Sequence, residues 1–138
     1  FCFRVFSASA EWLGRRSMGN IIGPALEKSG LPLVLVAFLI AALIRASVGA
    51  AVVAMTMAAG IMASMPGVAE LSPVYLAAMV CAINGGATAF SHVNDSGFWL
   101  VNSLLEIDEK TTLKSWTIME TIVGITGLVC AVIISLFA

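Results

Sequence analysis

Between Asn84 and Phe98 the chain places its only histidine, His92, three residues before Asp95, among the neutral polar residues Asn84, Thr88, Ser91, Asn94 and Ser96. Imidazole titrates near neutral pH, and a carboxyl withdrawn from water is raised toward the same range. His92 and Asp95 are therefore candidates to take up and release a proton. The hydroxyls and amides around them can bind the hydroxyls of a small polar solute or satisfy unwound backbone. A helix cap at Asp95 and a locally hydrogen-bonded His92 fit the same residues.

A second polar break follows Leu43-Ile44, at Arg45-Ala46-Ser47-Val48-Gly49. An ionised side chain at the centre of a spanning helix costs roughly 2.5–3.5 kcal/mol on insertion scales, so Arg45 needs a partner or a watered cavity. Its guanidinium offers a two-pronged fork to a carboxylate. A ligand carboxylate and a structural partner such as Asp95 both meet that demand. Ser47 and Gly49 join the candidate substrate-binding set with Arg45, Asn84, Thr88, Ser91, Asn94 and Ser96.

Enzyme chemistry finds little support. A Ser96–His92 hydrolase pair lacks a nucleophile-elbow motif, and one histidine cannot build a His-Glu-x-x-His zinc site. Met55, Met57, Met62 and Met65 follow no ligand spacing with His92 and read as packing residues. Cys2, Cys81 and Cys130 are odd in number and widely spaced, which suggests neither a disulfide framework nor a metal site. No cofactor is expected.

These groups must be held by elements suited to a bilayer. Of 138 residues, 60% are hydrophobic and 11% charged, against about 25% charged in a soluble domain. Uncharged stretches cover residues 29–44, 46–69, 71–91 and 121–138, and about 20 apolar residues cross the hydrocarbon core. The net charge of −1 leaves no basic face for a nucleic acid. Membrane lipid is the expected surround.

The spacing predicts an all-α, polytopic membrane protein with discontinuous or re-entrant helices. Residues 31–65 read as a helix broken near Arg45 to Gly49, with the small-residue tail from Gly49 to Gly60 buried against protein. Pro66-Gly67 signals a turn and Ser72-Pro73 a helix restart. From Val74 the helix is expected to break from Asn84-Gly85-Gly86 onward and to resume at Asp95-Ser96, whose half-helix N-terminus would favour an anion. Glu106 to Ser115 reads as a charged loop, cytoplasmic by its lysines. Trp116 to Ala138 reads as the last span, with Trp116 at an interface. Paired breaks of this sort point to a secondary-transporter site.

His92-Val93-Asn94-Asp95-Ser96-Gly97-Phe98-Trp99, preceded by Asn84-Gly85-Gly86, closely resembles a signature near the end of the gluconate permease family. Ile44-Arg45-Ala46-Ser47-Val48-Gly49-Ala50-Ala51-Val52-Val53-Ala54 resembles its other C-terminal motif, with Ala50 and Val52 where that motif has serine and threonine. Trp116-Thr117-Ile118-Met119-Glu120-Thr121-Ile122-Val123-Gly124 is similar to its last helix. The resemblance runs over residues 19–138, and residues 1–18 are an unmatched segment, expected to reflect a frameshift or a wrongly chosen start. It implies a gluconate or related organic-acid:proton symporter of the inner membrane, multi-pass, of which this chain is the C-terminal part. The implied partners are a gluconate-like carboxylate, protons, a missing N-terminal half and, in some arrangements, further copies in a homo-oligomer. The rival expectation is a non-transporting remnant or a membrane-embedded structural subunit.

Overall fold

The computed structural model describes residues 32–65 and 67–137; the expectations for residues 1–18 lie outside them. Five helices follow one another, and no strand occurs among the described residues. They are α1 (Leu33–Val48), α2 (Ala51–Ala63), α3 (Pro73–Thr88), α4 (Ser96–Leu104) and α5 (Glu109–Ser135). A single 3-10 turn, Val68–Glu70, sits between α2 and α3.

Helix α3 lies at the centre, packed against α1 on one side and α5 on the other, while α2 folds back on α1 and α3. The sequence explains this because α3 carries two apolar stripes at helical spacing. Met79, Ile83 and Ala87 join Val36, Ala37 and Ala41 of α1 and Ala54, Ala58 and Met62 of α2 in one core. Ala78 and Ala82 join Val34, Phe38 and Ala42 of α1 and Ala131 of α5 in a second. Residues four apart share a helix face, so two stripes offset by one residue serve two neighbours.

Alanines and glycines bring these backbones close. A Cβ at Gly85 would lie 2.7 Å from the carbonyl oxygen of Gly124, and one at Gly86 would collide with the carbonyl oxygen of Phe38. For this reason α3 does not break at Asn84-Gly85-Gly86, as the sequence suggests, but continues to Thr88. The two glycines serve close approach to α5 and α1, and packing outweighs their helix-weakening propensity. The break comes at Ala89–Asp95 instead.

The start signals appear where expected at Ser72, which caps α3 by accepting from the Tyr75 backbone N–H at 3.2 Å with Pro73 in the first turn. They also appear at Asp95, which caps α4 by accepting from the Gly97 N–H at 3.1 Å. The charged segment differs from expectation. Asp108 caps a helix that begins at Glu109, so most of the expected loop is the first turns of α5. A π turn at Leu113–Thr117 joins those turns to the rest of α5.

Among the described residues only Glu109–Ser135 is long and apolar enough to cross a membrane by itself; α1, α2 and α3 are shorter apolar helices. The outer face of α5, with Ile118, Ile122, Val129 and Ile133, is exposed and apolar. Such a face suits a hydrocarbon surround.

Two outcomes test this packing. Gly86→Ala should lower stability by about 1–3 kcal/mol, as overpacking against backbone does, whereas Gly60→Ala, where an added Cβ meets nothing within 4 Å, should be neutral or gain up to about 1 kcal/mol; thermal unfolding in detergent compares them. At Asp108 the Thr111 hydroxyl, donating at 2.5 Å, holds the carboxyl below its ordinary 3.8. A depressed folded value means the cap's stabilisation is complete above the unfolded value and is lost as pH falls through the lower folded one. Amide exchange at Thr111 should therefore accelerate, relative to the core of α5, only under strongly acidic conditions.

Candidate functional site

The end of α1 decides where Arg45 points. Gly49 takes the left-handed conformation, φ 74°, and its N–H donates to the Arg45 carbonyl at 2.8 Å, closing the helix. That places Arg45 in the last turn, where a cation interacts favourably with the unpaired carbonyls. It is 4% exposed. Its Nη1 donates to the Gly49 carbonyl at 3.0 Å and its Nη2 to Asp95 Oδ2 at 2.5 Å. Its buried Nε has no hydrogen-bond partner.

Asp95, 6% exposed, is the hub. Besides Arg45 it accepts from the Ser91 hydroxyl at 2.5 Å and, through Oδ1, from the Gly97 N–H. Ser91, fully buried, accepts in turn from Trp116 Nε1 at 3.1 Å. One hydrogen-bonded chain therefore links α1, the break after α3, the start of α4 and the first part of α5. A second clasp lies beside it, where Asn94 Nδ2 donates to the Ser47 carbonyl at 3.1 Å and the Asn94 backbone fills the space a side chain at Gly49 would need.

The chain turns tightly through this region. Phe90 adopts a positive φ of 60°, and the Asp95 N–H donates to the His92 carbonyl at 2.8 Å. His92, half-buried, has Nδ1 at 2.8 Å from the Phe90 carbonyl; its ring forms no hydrogen bond with the Asp95 carboxylate among the described residues.

The network thus gathers Arg45, Gly49, Ser91 and Asp95, and holds Ser47 and Asn94 at its edge. It does not include the side chains of Asn84, Thr88 or Ser96. Asn84 and Ser96 are exposed, and the Thr88 hydroxyl donates back to the Asn84 carbonyl at 2.9 Å. The Ser47 hydroxyl likewise bonds its own helix, at Leu43. The N-terminus of α4, expected to favour an external anion, already holds the carboxylate of Asp95.

Sequence reasoning missed Trp116, which it placed at an interface. The signal was the four-residue spacing Trp116, Glu120, Gly124, which puts all three on one face of α5; Gly124 packs against Gly85 and Ala89 of the α3 end. Beyond Trp116 a cavity of about 400 Å³ is lined by Val101, Leu104, Leu105, Ser115, Trp116 and Met119. Its walls are mostly apolar and offer no charge to a carboxylate.

A family model described as GntP family permease matches residues 8–137. The chain is 41% identical over 118 residues to the low-affinity gluconate transporter of Escherichia coli K12, covering 84% of this chain and 26% of that protein. It is 38% identical over 126 residues to a gluconate permease of Pseudomonas aeruginosa, covering 91% of this chain and 28% of that protein. A gluconate permease of Bacillus licheniformis is 33% identical over 120 residues, 87% of this chain and 26% of its own length. The chain spans about a quarter of the length of these curated relatives. No solved structure matches it.

A double-mutant cycle tests the buried pair. Removing one member of a buried ion pair leaves the other uncompensated and costs about 3–5 kcal/mol. Arg45→Met and Asp95→Leu should each show a loss of that order in thermal unfolding, and the double variant should lose clearly less than their sum. Strict additivity would mean that the two charges do not meet.

Proposed function

The chain belongs to the GntP permease family, and from that premise we propose that it forms part of a membrane path for uptake of gluconate or a related organic acid, coupled to protons. In this reading it is the C-terminal part of a multi-pass permease of the inner membrane, a transporter rather than an enzyme.

The observation that carries the proposal is the half-used guanidinium of Arg45. Its Nη2 holds Asp95 while Nε, on the same edge of the fork, is buried and unpartnered. A substrate carboxylate taking both donors would form the bidentate pair that Arg favours, and would displace Asp95 Oδ2. The start of α2 supports the same location. Ala50 provides no side-chain cap, and the first intrahelical bond runs from the Ala54 N–H to the Ala50 carbonyl at 3.0 Å. The backbone N–H groups before Ala54 are thus left as a positive helix end close in sequence to Arg45, suited to an anion.

Displacement supplies the coupling. Asp95 deprived of its cation is a buried carboxylate facing a new anion, and the cheapest response is to bind a proton. Anion and proton then enter together and leave together. His92, half-buried on the same turn, is a second candidate carrier of the proton beside Asp95. Ser91, Asn94, Ser96, Asn84, Thr88, Ser47 and Gly49 are the proposed contacts for the hydroxyls of the acid or for the backbone around it.

The coverage of about a quarter of the relatives' length favours a second reading for the isolated chain, a membrane-embedded part without transport of its own. Alternating access moves one bundle against another around the site. Vesicles holding only residues 1–138 should therefore show no proton-driven uptake; uptake above empty vesicles would overturn that reading.

In a full-length permease carrying this segment, Arg45→Ala should weaken gluconate binding by one to two orders of magnitude, about 1.5–3 kcal/mol for a charge-assisted pair. Arg45→Lys should restore part of the attraction without the two-pronged geometry. Asp95→Asn should impair proton-driven accumulation more than equilibrium exchange, because the amide resembles the protonated acid and cannot release a proton. Uptake and exchange measured in the same vesicles, with folded protein quantified, separate these effects. Normal accumulation by Asp95→Asn would exclude Asp95 as the obligatory carrier.

A further inference from the structure

The remaining carboxylate near the network is Glu120. It lies one turn from Trp116, whose indole reaches Ser91, and one turn from Gly124, which packs on Ala89. Residues four apart share a helix face, so Glu120 shares the face of α5 that carries Trp116 and Gly124; it is half-buried and within electrostatic range of both Arg45 and Asp95. Among the described residues it forms no ion pair or hydrogen bond. The buried Thr117 hydroxyl, three residues before it on the same face, also lacks a partner. This face holds polar groups that the fold does not use.

The charges around Glu120 are few. Helix α1 contributes Arg45 alone; α3 carries no charged residue and only Tyr75 and Cys81 as titratable groups; α4 contributes Asp95 at its cap, and the turn before it His92. On its own helix the nearest charges are Lys114 and Lys110, in and before the π turn, with Glu109 at the start. One guanidinium therefore faces two carboxyls. Asp95 takes the ion pair, the Ser91 hydroxyl and the Gly97 N–H, all of which favour its ionised form, while Glu120 has none of these.

We propose that Glu120 is the carboxyl through which the coupled proton reaches and leaves Asp95, an inference that rests on the proton-coupled reading above. As substrate takes Arg45, the proton passes from the Glu120 carboxyl to the Asp95 carboxylate, leaving Glu120 ionised and Asp95 neutral. Glu120 then regains a proton from water. On the far side Glu120 first gives its regained proton to water; as substrate departs, Asp95 then returns its proton to the ionised Glu120 and reforms the ion pair, so one proton has crossed with each anion. Glu120 touches neither substrate nor guanidinium in this scheme; it is a proton-relaying and positioning residue.

The test uses a full-length permease carrying this segment, reconstituted in vesicles with labelled gluconate, and compares uptake driven by a pH gradient with exchange in its absence. Glu120→Gln should lower gradient-driven uptake and exchange alike by at least about a hundred-fold, the lower reach of a lost proton-transfer group, and added to Asp95→Asn, whose neutral amide needs no proton, it should slow exchange no further. Glu120→Asp should recover part of the uptake with a shifted pH profile. Glu120→Gln with the wild-type rate and pH profile would overturn the inference, as would a further loss of exchange when it is added to Asp95→Asn in folded protein. A wild-type permease indifferent to the gradient would instead bring down the proton-coupled reading itself. Should Glu120→Gln not fold, Glu120→Asp decides, and an unshifted profile with undiminished uptake counts against the relay.

Discussion

A buried guanidinium cannot be left alone in an apolar protein, and the rest of the described structure follows from how Arg45 is satisfied. Its partner, Asp95, lies fifty residues away in sequence, so the end of α1 and the start of α4 must meet. That meeting requires Gly49, because a side chain there would occupy the space of the Asn94 backbone. It also sets the turn from Ala89 to Asp95, which brings Ser91 beneath the carboxylate and gives Trp116 of α5 something to donate to. The pair fixes geometry more than it adds stability, since desolvating two ions offsets most of their attraction.

The helices that surround the pair are assembled on a different basis. Between α3 and its neighbours the contact is backbone against backbone, through Gly85, Gly86 and Gly124, with alanines filling both cores. Lipid tails are as apolar as leucine, so in a bilayer close van der Waals contact and not the hydrophobic effect holds helices together. A scaffold of this kind tolerates little change in side-chain volume at the seam. It leaves large apolar residues such as Leu43, Val52 and Ile122 exposed on the outside.

Much of this was legible in the residues. Composition announced an all-α membrane protein, Ser72-Pro73 and Asp95-Ser96 announced two helix starts, and the isolated Arg45 announced a need for a partner, with Asp95 named as one option. The family was legible in the stretch from His92 to Trp99. What misled was local propensity. Asn84-Gly85-Gly86 looks like a break because glycines weaken an isolated helix, yet the same glycines are what allow α1 and α5 to approach, a demand that only tertiary structure reveals. Trp116 looked interfacial because tryptophan is common at membrane surfaces, and nothing nearby in sequence pointed to Ser91 as its acceptor. Acidic residues from Glu106 onward looked like a loop because their role as cap and first turn of α5 depends on Asp108 alone.

The π turn at Leu113–Thr117 can be read as a gear tooth. A helix advances about 100° for each residue, and a turn that absorbs one residue more than usual rotates everything after it by that angle relative to everything before. On the early side, Thr112 receives the Asn102 amide at 3.2 Å; on the later side, Gly124 lies against Gly85. A regular helix would bring one of these two faces into mesh and turn the other away. The phase offset lets α5 engage α4 and α3 at once, so shortening the chain by one residue in this stretch would preserve helicity while forcing it to choose between its neighbours.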